Sequence, residues 1–338
     1  MNEKMLGDEG GFGCVFQPSF PCVRDTEVFS SSKNKHVVGK IFTKKHKGTE
    51  VKREIDVSRL VNQWDPKGDY FVVPTSYCKT KTEMVRRHKE ADKCTHLQNS
   101  VSELLSQLIM PYGGVDLLSY MTMYVKKNQK KFPLDIWIRL LENVIQGLLI
   151  MQQHGYLHGD IKAENILYDH IKLKIIDFSL SEKLDSIYTE KRSGLINTEY
   201  IVVPLEVILL RKLHYESCHK FFGCSIYGEF MKTIHSFGEE TYQSFERHHS
   251  LQEISKIIQS MEKQATKKHF FEKIKKNADK LDVYSLGILC IDLDPFFDHS
   301  VISPTKQKKY VAFVKKLSAL DFQKRPTMKK AYELWKQL

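Results

Sequence analysis

The stretch that decides the reading is Tyr156-Leu157-His158-Gly159-Asp160-Ile161-Lys162-Ala163-Glu164-Asn165-Ile166-Leu167, followed shortly by Lys174-Ile175-Ile176-Asp177-Phe178-Ser179. An acid precedes an amide by five residues, and a second acid closes a β-branched run. Taken singly, Asp160 and Asn165 read equally well as residues that cap turns. In this order they form the set that moving a phosphoryl group requires. In such a set one carboxylate takes the proton of an attacking hydroxyl, and a carboxylate with an amide oxygen holds Mg²⁺. Lys162 adds a cation for phosphate oxygens.

Toward the N-terminus, Val37-Val38-Gly39-Lys40-Ile41-Phe42 puts one lysine inside an apolar strand. A lysine facing inward is costly unless paired. Glu54, in Arg53-Glu54-Ile55, is its natural partner, and Glu50 one turn earlier is the competitor. The plain alternative for Lys40 alone is an exposed edge-strand lysine. Further upstream lies Gly10-Gly11-Phe12-Gly13-Cys14-Val15. Glycines let a backbone approach phosphate and offer it N–H donors, although a tight hairpin with no ligand has the same pattern.

Periodicity organises the rest. Lys4 to Gly7, Gly13 to Gln17, His36 to Phe42, Tyr70 to Tyr77 and Leu104 to Met110 read as strands. Thr49 to Trp64 has helical spacing, with Val51, Ile55, Leu60 and Val61 on one side. Pro18 to Lys35 and Lys79 to Ser102 are polar, without apolar periodicity, and read as loops or insertions. Beyond Tyr112-Gly113-Gly114 the pattern turns helical. Leu134 to His154 is amphipathic and stops at Gly155. Phe245 to Lys276 is a charged helical stretch, and Asp282 to Leu293 is apolar enough to be buried throughout.

At these residues the chain resembles the eukaryotic-type Ser/Thr protein kinases. Lys40, Glu54, His158-x-Asp160-x-Lys162-x-x-Asn165 and Asp177-Phe178 match that family's motifs in order. Pro204-Leu205-Glu206 looks like its Ala-Pro-Glu segment, Asp282-Val283-Tyr284-Ser285-Leu286-Gly287 like its Asp-x-Trp-Ser-x-Gly helix start, and Lys324-Arg325-Pro326-Thr327 like its Arg-Pro motif. The match runs from about Met5 to Leu338. Its compact pattern is similar to the kinases of large DNA viruses.

The resemblance implies an α+β, bilobal protein-kinase-like fold. A small strand-rich N-lobe with one helix (1–111) would precede a larger helical C-lobe (112–338), with a hinge near Met110 to Gly114. It implies ATP and Mg²⁺ as cofactors. Lys40, Glu54, Asp160 and Lys162 would be catalytic, and Asn165 and Asp177 would hold the metal. Gly7, Gly10, Gly11, Phe12, Gly13, Val15, Lys40, Met110, Tyr112 and Asp116 would line the nucleotide. Glu206 and Arg325 would form a buried pair. Lys162 favours Ser/Thr over tyrosine specificity.

Four departures qualify this picture. The glycine turn fits G-x-G-x-x-G only if one residue is inserted after Gly7. Gly159 stands where the family has an Arg that meets a phosphorylated loop, which predicts activity independent of such phosphorylation. Ser179 replaces a Gly whose φ freedom permits loop inversion. The stretch from Glu206 to Asp282 is also longer than the family's, and roughly 213–276 reads as a partly helical insertion.

Composition bounds the setting. The chain has 338 residues, 41% hydrophobic and 28% charged, with a net charge of +11. No apolar run is long enough for a transmembrane segment, and the N-terminus lacks both a signal sequence and a myristoylated glycine. The first strand begins almost at Met1, so no upstream domain is expected. The seven cysteines lack Cys-x-x-Cys spacing. They read as free thiols of a reducing compartment, cytoplasmic or nuclear, or host cytoplasm or virion for a viral chain. The basic surface reads as a solvated face or as steering toward acidic protein substrates. No nucleic-acid motif accompanies it. Two other functions fit part of the pattern. Small-molecule phosphotransferases share His-Gly-Asp…Asn and Ile-Asp-Phe but are not expected to carry Lys162, Glu206, Asp282 and Arg325 together. A pseudokinase scaffold is expected to lack one of Lys40, Asp160, Asn165 or Asp177.

Overall fold

The computed structural model describes residues 4–10, 13–29, 36–42, 49–98, 100–186, 204–206, 230–231, 238–264 and 267–338. They pack as two compact units. The first comprises residues 1–120 and 164–179, the second 121–163 and 180–338. The division follows packing: the 164–179 hairpin joins the strand-rich unit although it lies far along the chain.

The first unit is built on an antiparallel sheet of β1 (Lys4–Gly10), β2 (Gly13–Gln17), β3 (Arg24–Val28), β4 (Val37–Phe42), β5 (Ser76–Lys81) and β6 (Leu104–Pro111), ordered β1-β2-β4-β6-β5-β3. Alternate residues of a strand point to opposite faces, and β4 sorts the two cores accordingly. On one side Val38 and Phe42 join Val72, Leu108, Met110 and Val51 of helix α1 (Thr49–Trp64). On the other, Ile41 joins Cys14, Phe16, Leu105, Val85, Ala91, Cys94 and Leu97. This second face is covered by α2 (Thr82–Arg86), a 3₁₀ turn at Ala91–Lys93, and α3 (Thr95–Gln98).

The structure corrects several expectations here. The N-terminal unit carries more than one helix, because the segment read as a loop from Lys79 to Ser102 contains these short ones. Helices of four or five residues are too short to display a hydrophobic period. β3 was hidden in the segment Pro18 to Lys35 because all five of its residues are exposed, leaving no alternation to read. The strand expected over Tyr70 to Tyr77 forms instead at Ser76–Lys81. The Asp65 carboxylate accepts the backbone N–H groups of Asp69, Tyr70 and Phe71 (2.9, 2.8 and 3.1 Å) and bends the chain there.

The cysteines are the largest correction. Cys14 is disulfide-bonded to Cys94 and Cys22 to Cys78. The partners are 80 and 56 residues apart, so no local spacing could announce them. The inference of a reducing compartment loses its basis for these four thiols. Cys290 is unpaired and buried, and Cys218 and Cys224 lie outside the described residues.

β7 (Val115–Asp116) leads into α4 (Leu117–Asn128) and pairs with β10 (Ile166–Tyr168), which pairs in turn with β11 (Leu173–Ile175). Between these, β8 (Phe132–Pro133), α5 (Leu134–Gln153) and β9 (Tyr156–Leu157) belong to the second unit. So do β12 (Glu182–Lys183), α6 (Glu239–His248), α7 (Leu251–Gln264), α8 (Lys267–Lys276), α9 (Leu281–Leu293), β13 (Phe297–Asp298), α10 (Pro304–Leu317) and α11 (Met328–Trp335). The part of the 213–276 stretch that is described is thus helical, and 207–229 lies outside the described residues.

α5 buries Trp137, which stacks on Phe297 (centroids 5.1 Å apart) and donates to the Tyr310 hydroxyl at 3.0 Å. α9 is buried along nearly its whole length. A Cβ at Gly287 would stand 2.5 Å from the Ser318 nitrogen, so only glycine allows this close crossing. Among the described residues no helix is long and apolar enough to cross a membrane.

Candidate active site

In the first unit the paired strands bring three charged groups to one point. Lys40 lies on β4 across from Val15 of β2 and Leu108 of β6. Its ammonium donates to both oxygens of Glu54 (3.0 and 2.8 Å) and meets the Asp177 carboxylate at 2.9 Å. Glu54 is therefore the partner. Burial works against the charge on Lys40, but Asp177 and Glu54 outweigh it and hold the ammonium protonated well above its ordinary pKa. One cation serves two carboxylates. Burial, the largest single influence, pushes Asp177 up, yet Lys40 and Ser179 together outweigh it and leave the carboxyl below the usual carboxylate range. Glu54 stays above its ordinary value, because burial and Asp177 together exceed the pull of Lys40.

The β10–β11 hairpin sets the other two positions. Ile166 pairs with Ile175, and the Ile176 N–H donates to the Asn165 carbonyl at 3.0 Å. Asn165 and Asp177 therefore flank the same end of one hairpin. Asp177 adopts φ +65°, an uncommon conformation for a non-glycine residue. The Ser179 N–H donates to its carboxylate at 3.3 Å, and Arg53 donates to the Ser179 carbonyl. The Ser179 side chain is buried, so the residue replacing glycine is built into the unit's interior. Arg53 carried no motif signal beyond its place beside Glu54.

Around the turn, Gly10 pairs with Gly13 and the β1–β2 register shifts between Leu6 and Gly10. A Cβ on Gly13 would lie 2.1 Å from the Ile41 carbonyl oxygen; glycine is required for β2 to approach β4. Gly11 and Phe12 lie outside the described residues. Of the expected adenine-side residues, Met110 is buried opposite Val38. The Tyr112 N–H is used by the His36 carbonyl (2.9 Å). Asp116 accepts the Ser119 N–H at 2.8 Å, capping the start of α4.

The second unit holds the His158-Gly159-Asp160 turn. Asp282, at the start of α9, accepts the N–H of His158 at 2.7 Å and of Gly159 at 2.9 Å, one with each oxygen. Burial raises its pKa, opposed by His158 and by these two N–H groups. Gly159 sits at φ +81°. That conformation favours glycine, so the missing Arg has a backbone reason independent of regulation. His158 is fully buried; its Nδ1 accepts from the Asp160 N–H (3.3 Å) and its carbonyl from the Ser181 hydroxyl (3.1 Å). The Lys162 ammonium lies 3.0 Å from the Asp160 carboxylate. Arg325 holds both oxygens of Glu206, also donates to the Ala319 and Leu320 carbonyls, and lies over the Tyr284 ring at 4.5 Å. The expected Glu206–Arg325 pair is present and buried. Among the described residues no cluster of three His, Cys, Asp or Glu forms a complete metal cage. The hard oxygens of Asp177 and Asn165 suit a divalent cation that shares its remaining positions with phosphate and water.

The profile of the family described as protein kinase domain matches residues 2–335. The chain belongs to the protein kinase domain family, and its strand-rich and helical units are those of that fold. Mouse dual specificity protein kinase TTK is 25% identical over 153 residues, covering 43% of this chain and 17% of that protein. Rat serine/threonine-protein kinase ICK is 32% identical over 96 residues (28% and 14%), and human serine/threonine-protein kinase MAK 29% over 151 residues (40% and 23%). The alignments thus span less than a quarter of each relative.

Proposed function

We propose that the chain transfers the γ-phosphoryl group of ATP to serine or threonine hydroxyls of protein substrates. The observation that carries the reading is the buried Lys40 ammonium, held at once by Glu54 and Asp177. Such a fixed cation is costly to bury and suits the α- and β-phosphates of a nucleotide. Asp160 takes the proton of the attacking hydroxyl. Lys162, beside it, offsets charge on the transferring group. Asn165 and Asp177 would hold Mg²⁺, which when bound would offset phosphate charge. Asp282 keeps the His158-Gly159-Asp160 turn in place. The serine/threonine assignment rests on Lys162 and on the names of the relatives. The net charge of +11 favours acidic regions of protein substrates.

The test offers labelled Mg-ATP to a generic protein and to a set of small alcohols in parallel, with Asp177→Ala as control. Label on serine and threonine of the protein is the expected outcome. Label on an alcohol alone makes the chain a small-molecule phosphotransferase, and no transfer above the control makes it a scaffold. General-base assistance is worth about 10²- to 10⁴-fold, so Asp160→Ala is expected to lose at least about 10²-fold in kcat.

A further inference from the structure

The β1–β2 hairpin carries the glycine turn and, among the described residues, lies at the edge of the sheet: β1 has β2 as its only ladder neighbour there, and β2 is laddered on to β4. Three of its other attachments fall on one short segment, residues 88–94. Cys14, next to Gly13, is bonded to Cys94. The Met5 N–H donates to the Glu90 carboxylate. His88 packs edge-on against Phe16 and Phe20, with centroids 5.0 and 5.9 Å away. Both sulfurs of the Cys14–Cys94 pair belong to the buried core on the face opposite Lys40. The segment therefore braces the hairpin from the far side of the sheet, and the disulfide is its one covalent link.

We propose that the Cys14–Cys94 pair is a positioning element for nucleotide, its oxidised form holding Gly13 and β2 beside β4 as ATP requires and its reduced form releasing them. This rests on the phosphotransfer reading above. Strand order supports it. Val15, the neighbour of Cys14, pairs with Lys40, so a shift of β2 moves Gly13 and Val15 relative to the lysine. In the unfolded or partly open chain, a bond joining residues so far apart also removes much conformational freedom. The oxidant is a small-molecule disulfide such as oxidised glutathione. The thiolate of one cysteine attacks a sulfur of that disulfide and expels one thiolate. The second cysteine then attacks the mixed disulfide and expels the other. Two protons and two electrons leave the protein, and two small thiols form; excess thiol runs the exchange backward.

Cys22–Cys78 is the internal control. It ties the Pro18–Val23 segment to β5, and Cys22 is exposed. The experiment uses the full chain equilibrated with oxidised or reduced glutathione. Alkylation and peptide mass map the four thiols, and initial rates give KM for Mg-ATP, KM for protein substrate and kcat. Reduction is expected to raise KM for Mg-ATP about three- to tenfold, leaving kcat and the protein KM within twofold. The effect should persist in Cys22→Ser/Cys78→Ser and be absent in Cys14→Ser/Cys94→Ser, which should show the weak value in both buffers. If that second variant does not fold, the wild type and the first variant still decide the matter. Free thiols at Cys14 and Cys94 after oxidation, or an unchanged KM on reduction, overturn the proposal. So does a fall in kcat that matches a fall in thermal stability with no change in KM. No transfer in either state sinks the phosphotransfer reading and this inference with it, whereas transfer at equal KM sinks this inference alone.

Discussion

Asp282→Asn isolates one structural cause in the proposed chemistry. In the wild type each oxygen of Asp282 accepts one backbone N–H, from His158 and Gly159. Asparagine is nearly isosteric but keeps a single acceptor, and its NH₂ would face the other N–H. Hydrogen bonds to charged groups contribute about 1.5–3 kcal/mol, and an orphaned buried N–H costs about 1–3 kcal/mol. Relief from burying the carboxylate charge, visible in the raised pKa, offsets part of this. The net loss expected is about 2–4 kcal/mol. With an unfolding entropy of about 2.1 cal/mol/K per residue over the 338 residues, that corresponds to a fall in Tm of roughly 3–6 °C. Asp160 follows Gly159 directly, and a displacement of about 1 Å at a reacting group costs on the order of 10²-fold in rate. Initial rates, taken at a temperature where both proteins are folded, are expected to show kcat reduced by about 10- to 100-fold. KM for Mg-ATP should barely move, because Lys40, Glu54 and Asp177 are held by other bonds. A variant with wild-type Tm and kcat within twofold would refute the reasoning.

Four further outcomes are expected. Lys40→Met should abolish transfer and also destabilise the protein by about 3–5 kcal/mol, since Glu54 and Asp177 lose their shared cation. Adding Glu54→Gln should recover much of the stability and none of the activity, read by melting curves and rates. Gly13→Ala forces a Cβ against the Ile41 carbonyl, so KM for Mg-ATP should rise and stability should fall by about 1–3 kcal/mol. Glu206→Gln should cost about 3 kcal/mol in denaturant titration by leaving Arg325 buried without its counter-charge, and Glu206→Gln/Arg325→Met should cost less than the single change.

The last concerns pH. Burial, with His248, Lys315 and Arg325 nearby, lowers the His249 pKa from 6.5 to about 3. The unfolded chain therefore binds a proton that the folded chain refuses, and stability falls as pH drops from 6.5 toward 3, by up to about 1.4 kcal/mol per pH unit. The Ser318 hydroxyl donates to the Val314 carbonyl and so accepts from His249 Nε2, a role the amide of His249→Gln can fill. His248, lowered in the same direction, keeps its own contribution. Urea midpoints between pH 7 and 4.5 should show a shallower slope in the variant by about one proton.

Much of the fold was legible because its longer elements follow simple periods. Helices Thr49–Trp64, Leu134–Gln153 and Leu281–Leu293 each bury a face or a whole surface large enough to mark the sequence. The short elements were not legible. β3 buries nothing and α2 and α3 span little more than a turn each, so neither leaves a repeat.

For the proposed site, the sequence alone supplied the candidate residues. Lys40, Asp160, Lys162, Asn165 and Asp177 were put forward because the proposed transfer needs those residue types at those spacings. The tertiary structure decided the pairings. Glu54 meets Lys40, both oxygens of Asp282 clamp the His158-Gly159 backbone, Asp116 caps a helix, and Cys14 finds Cys94. Each of these depends on which strand, turn or helix face comes within bonding distance. Residues far apart in the chain carry no local sign of that proximity; it exists only once the sheet is stacked and the helices are packed.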